Sequence, residues 1–140
     1  MQKNIESNSM TYKAVNEACG VHRLTSQQES VLRERGTEPP NSSKLNSEKR
    51  SGTYSCIGCG STLFVSGTKY ESGSGWPSFY APVSGAVESM VDISNGLVRT
   101  EVVCSVCKGH LGHVFPDGPP PTGDRYCING IVLDFLPDEG

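Results

Sequence analysis

"AVESMVDISNGLVRTEVVC", Ala86 to Cys104, is the stretch whose reading decides the fold. Two apolar-rich runs, "AVESMVDI" and "LVRTEVVC", flank "SNG", and this arrangement predicts a β-hairpin. Downstream, "RYCIN" and "IVLDFL" meet at Asn129-Gly130, which reads as a second tight turn. Upstream, "STLFVS" is a short strand. "ESGSGWPS" and "FPDGPPPTGD" carry too much Gly and Pro for regular structure, so they are read as ordered loops. Long ordered loops on a β scaffold are where functional sites concentrate. Sixteen glycines and nine prolines in 140 residues agree with a turn-rich, mainly β chain.

The N-terminal part differs. Residues 1–24 show no sustained period and read as a flexible lead-in to a single domain over 25–140. "TSQQESVLRERG" offers Ser26 as N-cap, Glu29 at capping-box spacing and Gly36 as a stop, so a short helix is expected there. "TEPP" ends it, and "NSSKLNSEKRSG" is a polar connector. No internal repeat occurs beyond a duplicated C-x-x-C.

Charge and termini narrow the function. Twelve Lys and Arg against fifteen Asp and Glu leave a net charge of −3, with no basic excess to neutralise phosphates, so no nucleic-acid partner is expected. "MQKNIESNSM" lacks the apolar region of a secretory signal, and no apolar run reaches the ~18 residues of a membrane span. A reducing compartment is expected: the cytoplasm, or an organelle reached with a transit peptide that is then removed.

Six cysteines remain to be placed. Cys56, Cys59, Cys104 and Cys107 form "CIGC" and "CSVC", two knuckles that can supply four thiolates to one structural zinc ion. Gly58 and Gly60 would let the first knuckle turn tightly. Two redox pairs or two disulfides are the other readings of this spacing. Cys127, in "DRYCING", stands apart. On an extended strand Arg125, Cys127 and Asn129 share one face. A structural cysteine prefers apolar company, whereas a cation beside a thiol favours the reactive thiolate. His110 and His113, in "HLGHVF", read as core histidines, metal ligands or proton donors. Trp76, the only tryptophan, sits on a Gly-rich loop before Pro77, where it could wall a soft ligand.

"RGTEPP", "CIGCGSTLF", "KYESGSGWPSF", "RTEVVCSVCKGHLGHVFPDGP" and "PTGDRYCING" together resemble the B-type methionine sulfoxide reductases, in order and spacing, from Leu24 to Pro137. The resemblance implies two antiparallel sheets in a rolled, tent-like arrangement, short N-terminal helices and a structural zinc away from the active site. It implies that Cys127 is the nucleophile and that Trp76, His110, His113, Asp117, Arg125 and Asn129 occupy active-site positions. The implied reaction is reduction of the R epimer of methionine sulfoxide in oxidised proteins. Cys127 attacks the sulfoxide sulfur, Trp76 packs on the substrate methyl group, and thioredoxin is the final reductant of a monomeric enzyme. Many family members carry a resolving cysteine at the position of Ser74, and a serine cannot form a disulfide. With four cysteines on zinc and Cys127 as nucleophile, Cys19 is the remaining internal thiol. Two other readings lead elsewhere. A zinc-clipped module that merely binds a modified side chain would need no activated thiol, and a zinc deaminase would need an H-x-E motif that is absent.

Overall fold

The computed structural model describes residues 24–94 and 96–138. After helix α1 (Ser26–Glu34) come nine strands: β1 (Gly52–Cys56), β2 (Thr62–Val65), β3 (Lys69–Tyr70), β4 (Ser78–Phe79), β5 (Val87–Ser94), β6 (Leu97–Cys104), β7 (His110–Phe115), β8 (Arg125–Ile128) and β9 (Leu133–Pro137). They form a three-stranded sheet, β2-β1-β9, and a six-stranded sheet, β3-β4-β8-β7-β6-β5. Every pairing is antiparallel, as the sequence led us to expect.

The predicted hairpin forms along its whole length, from Val87 opposite Cys104 to Ser94 opposite Leu97. The turn expected at Asn129-Gly130 is present, but it joins two sheets. It is a 3-10 turn, Gly130–Val132, that carries the chain from β8 in the large sheet to β9 in the small one. The two apolar runs on either side therefore belong to different layers and do not pair as a hairpin. The polar connector contains its own 3-10 turn at Lys44–Ser47. The short N-terminal helices of the sequence reading are, among the described residues, α1 and this turn.

The N-cap of helix α1 lies one residue before the expected Ser26. Thr25 is extended, its hydroxyl accepts from the Gln28 N–H at 3.1 Å, and the Gln28 side chain accepts from the Thr25 N–H at 2.8 Å. "TSQQE" contains the capping-box spacing in two frames, and the Thr25 frame is the one used. Glu29 instead pairs with Arg33 one turn on, at 3.2 Å. The stop also comes early. Arg35 takes the left-handed conformation, with φ 60°, and Gly36 closes the end by donating to the Ser30 carbonyl.

The core lies between the sheets. Phe64 of β2 stacks on Phe79 of β4 with centroids 4.3 Å apart, and Tyr54 of β1 meets Phe79 edge-on at 5.1 Å. All three are fully buried, so aromatic contact binds the small sheet to the large one. Leu24, partly buried, also packs against this core. Leu32 of α1 sits over both knuckles. A Cβ on Gly58 or Gly109 would lie 2.5 Å from a Leu32 methyl carbon, so each glycine makes room for that side chain. The tight turn is the task of Gly60, at φ 83°. No helix among the described residues is long and apolar enough to cross a membrane.

Candidate functional site

The large sheet lines up a row of polar side chains across its strands. Cys127 in β8 lies directly opposite His113 in β7 on one side and Ser78 in β4 on the other. His113 in turn lies opposite Glu101 in β6. His110 joins this face through an irregularity. The register with β6 shifts so that Val103 faces His110 and Val102 faces Gly112, leaving Leu111 as the extra residue of a bulge. The histidine rings consequently meet at 5.4 Å. Gly112 has a steric reason: a Cβ there would collide with the Cys127 carbonyl oxygen.

Behind the histidines lies a buried charge network. His113 Nε2 is 2.8 Å from Asp92 Oδ2, and His110 Nδ1 is 2.7 Å from Glu101 Oε2. Arg35, exposed at the helix end, caps this network from the solvent side, bridging Glu101 at 2.7 Å and Asp92 at 3.3 Å. Arg99 reaches Asp92 at 3.5 Å. The hydrogen bond from His113 holds the Asp92 carboxyl below its usual range. A carboxylate only accepts, so His113 carries a proton on Nε2 and His110 carries one on Nδ1. Burial lowers the His110 pKa against the opposing pull of Glu101. His110 is therefore neutral at pH 7, and its buried Nε2, unpartnered among the described residues, is a bare acceptor.

Cys127 opens into a cavity of about 100 Å³ lined by Thr37, Trp76, Arg99, Gly112, His113, Phe115, Cys127 and Asn129. A neighbouring cavity of about 630 Å³ shares Thr37, Arg99 and His113 with it and also reaches His110. Trp76 is fixed by its indole N–H, which donates to the Glu38 carbonyl at 2.9 Å. The buried Asn129 amide donates to the Leu111 carbonyl at 2.9 Å, and its oxygen accepts from the Glu38 N–H at 2.9 Å. Arg125 and Asp117 pair beside the cavity through two bonds, at 2.8 and 3.1 Å, with the guanidinium 4.4 Å over the Phe115 ring.

The Cys127 thiol is pushed up from the ordinary cysteine range, because burial outweighs the Ser74 hydroxyl and the Arg125 charge that favour the thiolate. The cation beside Cys127 is thus present, as its strand position suggests, but burial wins. Ser74 lies 3.9 Å from the Cys127 sulfur. It ends a chain of hydroxyls, with Ser72 donating to Ser74 at 2.9 Å and Ser78 2.6 Å from Ser72.

The paired cysteines gather elsewhere, at the ends of β1 and β6. The sulfurs of Cys56, Cys59, Cys104 and Cys107 all lie within 4.8 Å of one another. Cys56 and Cys107 are 3.7 Å apart, and Cys59 and Cys104 are 3.6 Å apart. Metal–sulfur bonds of about 2.3 Å in a tetrahedron place sulfurs about 3.8 Å apart, whereas a disulfide requires about 2 Å. Both close contacts join one knuckle to the other, so the four donors suit one shared ion. The knuckles repeat one pattern. In each, the first cysteine's carbonyl accepts from the residue four on, Gly60 at 2.8 Å and Lys108 at 2.8 Å, both with positive φ. None of the four cysteines lines the Cys127 cavity.

The structure thus brings Cys127, His113, Trp76 and Asn129 to one cavity, with His110, Arg125 and Asp117 around it. Cys19 lies outside the described residues. The sequence reading missed Arg35, Thr37, Glu38, Asp92, Arg99 and Glu101. Strict alternation along the predicted hairpin would have placed Asp92, Arg99 and Glu101 on one face, because Asp92 falls opposite Arg99.

A profile of the SelR domain matches residues 24–137. The peptide methionine sulfoxide reductase MsrB of Pseudomonas putida (strain W619) is 59% identical over 119 residues, covering 84% of this chain and 89% of that protein. The enzyme of the same name from Pseudomonas savastanoi pv. phaseolicola is 60% identical over 111 residues, covering 79% of this chain and 85% of that protein. With the match spanning almost all the described residues, the chain belongs to the B-type methionine sulfoxide reductase family.

Proposed function

We propose that the chain is a thiol-dependent oxidoreductase that reduces the R epimer of methionine sulfoxide in proteins. The observation that carries this reading is the placement of Cys127 opposite His113, in a cavity walled by Trp76 and Asn129. The Cys127 thiolate attacks the sulfoxide sulfur while His113, anchored through Nε2 to Asp92 and acting as the imidazolium, gives its Nδ1 proton to the sulfoxide oxygen and is left as the neutral Nε2–H ring. His110, whose bare Nε2 is an acceptor, orients a donor beside that oxygen. The Arg125–Asp117 pair keeps a positive charge near the thiolate. Trp76 packs on the substrate methyl group.

The S–O bond of the substrate breaks, methionine leaves with both its carbon substituents, and Cys127 retains the oxygen as a sulfenic acid. A second thiol attacks the Cys127 sulfur and releases water, forming a disulfide that a dithiol then reduces. Thioredoxin is the reductant we assign, and Cys19 the internal thiol that forms the disulfide. Cys56, Cys59, Cys104 and Cys107 would hold a zinc ion, which would contribute folding free energy. Reduced cysteines suit the cytoplasm, and we assign a monomer with no nucleic acid or membrane as partner.

The decisive experiment measures turnover of both epimers of a peptide-borne methionine sulfoxide, with dithiothreitol or thioredoxin. Reduction of the R epimer alone is expected, and preference for the S epimer would refute the reading. Cys19→Ser should keep dithiothreitol-driven turnover and lose most of that driven by thioredoxin. Unchanged thioredoxin-driven turnover in that variant would leave Cys19 without a role.

A further inference from the structure

Glu38, in "RGTEPP", is a charged side chain only 5% exposed, and no cation among the described residues offsets its burial. Its carboxylate is held by backbone alone: Oε2 accepts from the Gly130 N–H at 2.9 Å and Oε1 from the Ile131 N–H at 2.8 Å. Its own backbone serves the cavity. The Glu38 N–H donates to Asn129 Oδ1, and the Glu38 carbonyl accepts from the Trp76 indole, each at 2.9 Å. One residue therefore touches the 3-10 turn after β8, the asparagine between β8 and that turn, and the tryptophan loop.

A carboxylate is an expensive choice here. Burial raises its pKa, and its negative charge works against the nearby Cys127 thiolate. The geometry explains why an acid stands there. Two N–H donors converge on two separate oxygens, and an amide of the same shape offers one acceptor.

We propose that Glu38 is a positioning residue for sulfoxide reduction: its carboxylate fastens the segment before Pro39 to the 129–131 turn, and its backbone then fixes Trp76 and Asn129. The proposal rests on the function proposed above. It makes one position responsible for two walls of the Cys127 cavity, drawn from parts of the chain 38 and 91 residues distant. Among the described residues, the charged and titratable groups near Cys127 are Arg125 on its own strand, His113 opposite it, Arg99 of β6 in the same cavity, Tyr70 on β3 and Glu38 itself.

The test replaces Glu38 by Gln in the full-length protein carrying Cys19→Ser and follows three readouts. Reduction of a methionine sulfoxide peptide by dithiothreitol should fall about tenfold or more in kcat/KM, because the walls are loosened. Iodoacetamide alkylation of Cys127 at pH 7 should rise about two- to threefold, because a negative charge near the thiol is gone. Fluorescence of Trp76, the sole tryptophan, should shift. A more reactive thiol in a slower enzyme is the signature of positioning, and general loss of structure would not produce it. Turnover within twofold of the unsubstituted protein, or a drop in turnover matched by an equal drop in alkylation, overturns the proposal. Glu38→Asp keeps the charge and shortens the reach. It should lose turnover and shift the fluorescence with no gain in alkylation, and it decides the matter if the glutamine variant does not fold. If the unsubstituted protein reduces no sulfoxide, the function proposed above fails, while fluorescence and alkylation still test the Glu38 tie.

Discussion

The cysteine cluster and the Cys127 site are both built around sulfur at strand positions, yet they are assembled in opposite ways. The cluster draws four like donors from two copies of one local turn, and each copy is complete within six residues, Cys56–Ser61 and Cys104–Gly109. The Cys127 site draws unlike groups, one or two at a time, from α1, the tryptophan loop and strands β4 to β8. Local turns write a closed site into sequence spacing. Strand register writes an open one into which residues fall opposite each other.

The sharpest way to break this division is to exchange the roles of its sulfurs. Cys127→Ser should abolish sulfoxide reduction while leaving metal content and thermal stability unchanged. Substantial turnover by that variant, assayed with dithiothreitol, would remove Cys127 from the chemistry. Cys56→Ser should act the other way, losing bound zinc and lowering stability by about 4 kcal/mol or more in denaturant unfolding. A metal analysis that finds no zinc in active, gently purified protein would dissolve the comparison from the cluster side.

Smaller effects test the electrostatics. Because burial raises the folded Cys127 pKa, alkylation should gain its full rate above the pH usual for a cysteine. The linked stability runs the opposite way: it is present below the unfolded thiol pKa and is lost as pH rises through the folded one. The Asp92 carboxyl is lowered, so its contribution is present above the unfolded carboxyl pKa and is lost as pH falls through the folded one. Ser74→Ala should raise the thiol pKa further and slow alkylation at pH 7 by about two- to threefold, since one weak hydrogen bond is removed. An unchanged pH–rate curve would exclude the hydroxyl from thiolate stabilisation.

The same division explains what the sequence disclosed. The hairpin, both knuckles and the standing of Cys127 apart from the other cysteines follow from patterns within about a dozen residues. Asp92, Glu101 and Arg35 escaped because their meaning depends on pairing across strands and on a helix whose left-handed end falls at Arg35 in place of Gly36. Glu38 escaped because half of its role belongs to its backbone, which no residue type advertises. The sequence marks a tight turn at Asn129-Gly130 but not that it changes sheets, because a Gly at that point serves either connection.

The extra residue at Leu111 has a consequence for how such sequences are read. Along a regular strand, side chains an odd number of residues apart face opposite ways, so H-x-x-H forbids a shared face. Parity is restored here by one inserted leucine, whose own side chain is fully buried in the core. The insertion is thereby anchored: slipping the register to remove it would pull Leu111 from the apolar interior and turn His110 away from Glu101. Where two polar residues of one strand are known to share a site, an odd spacing between them is thus a countable mark of a bulge.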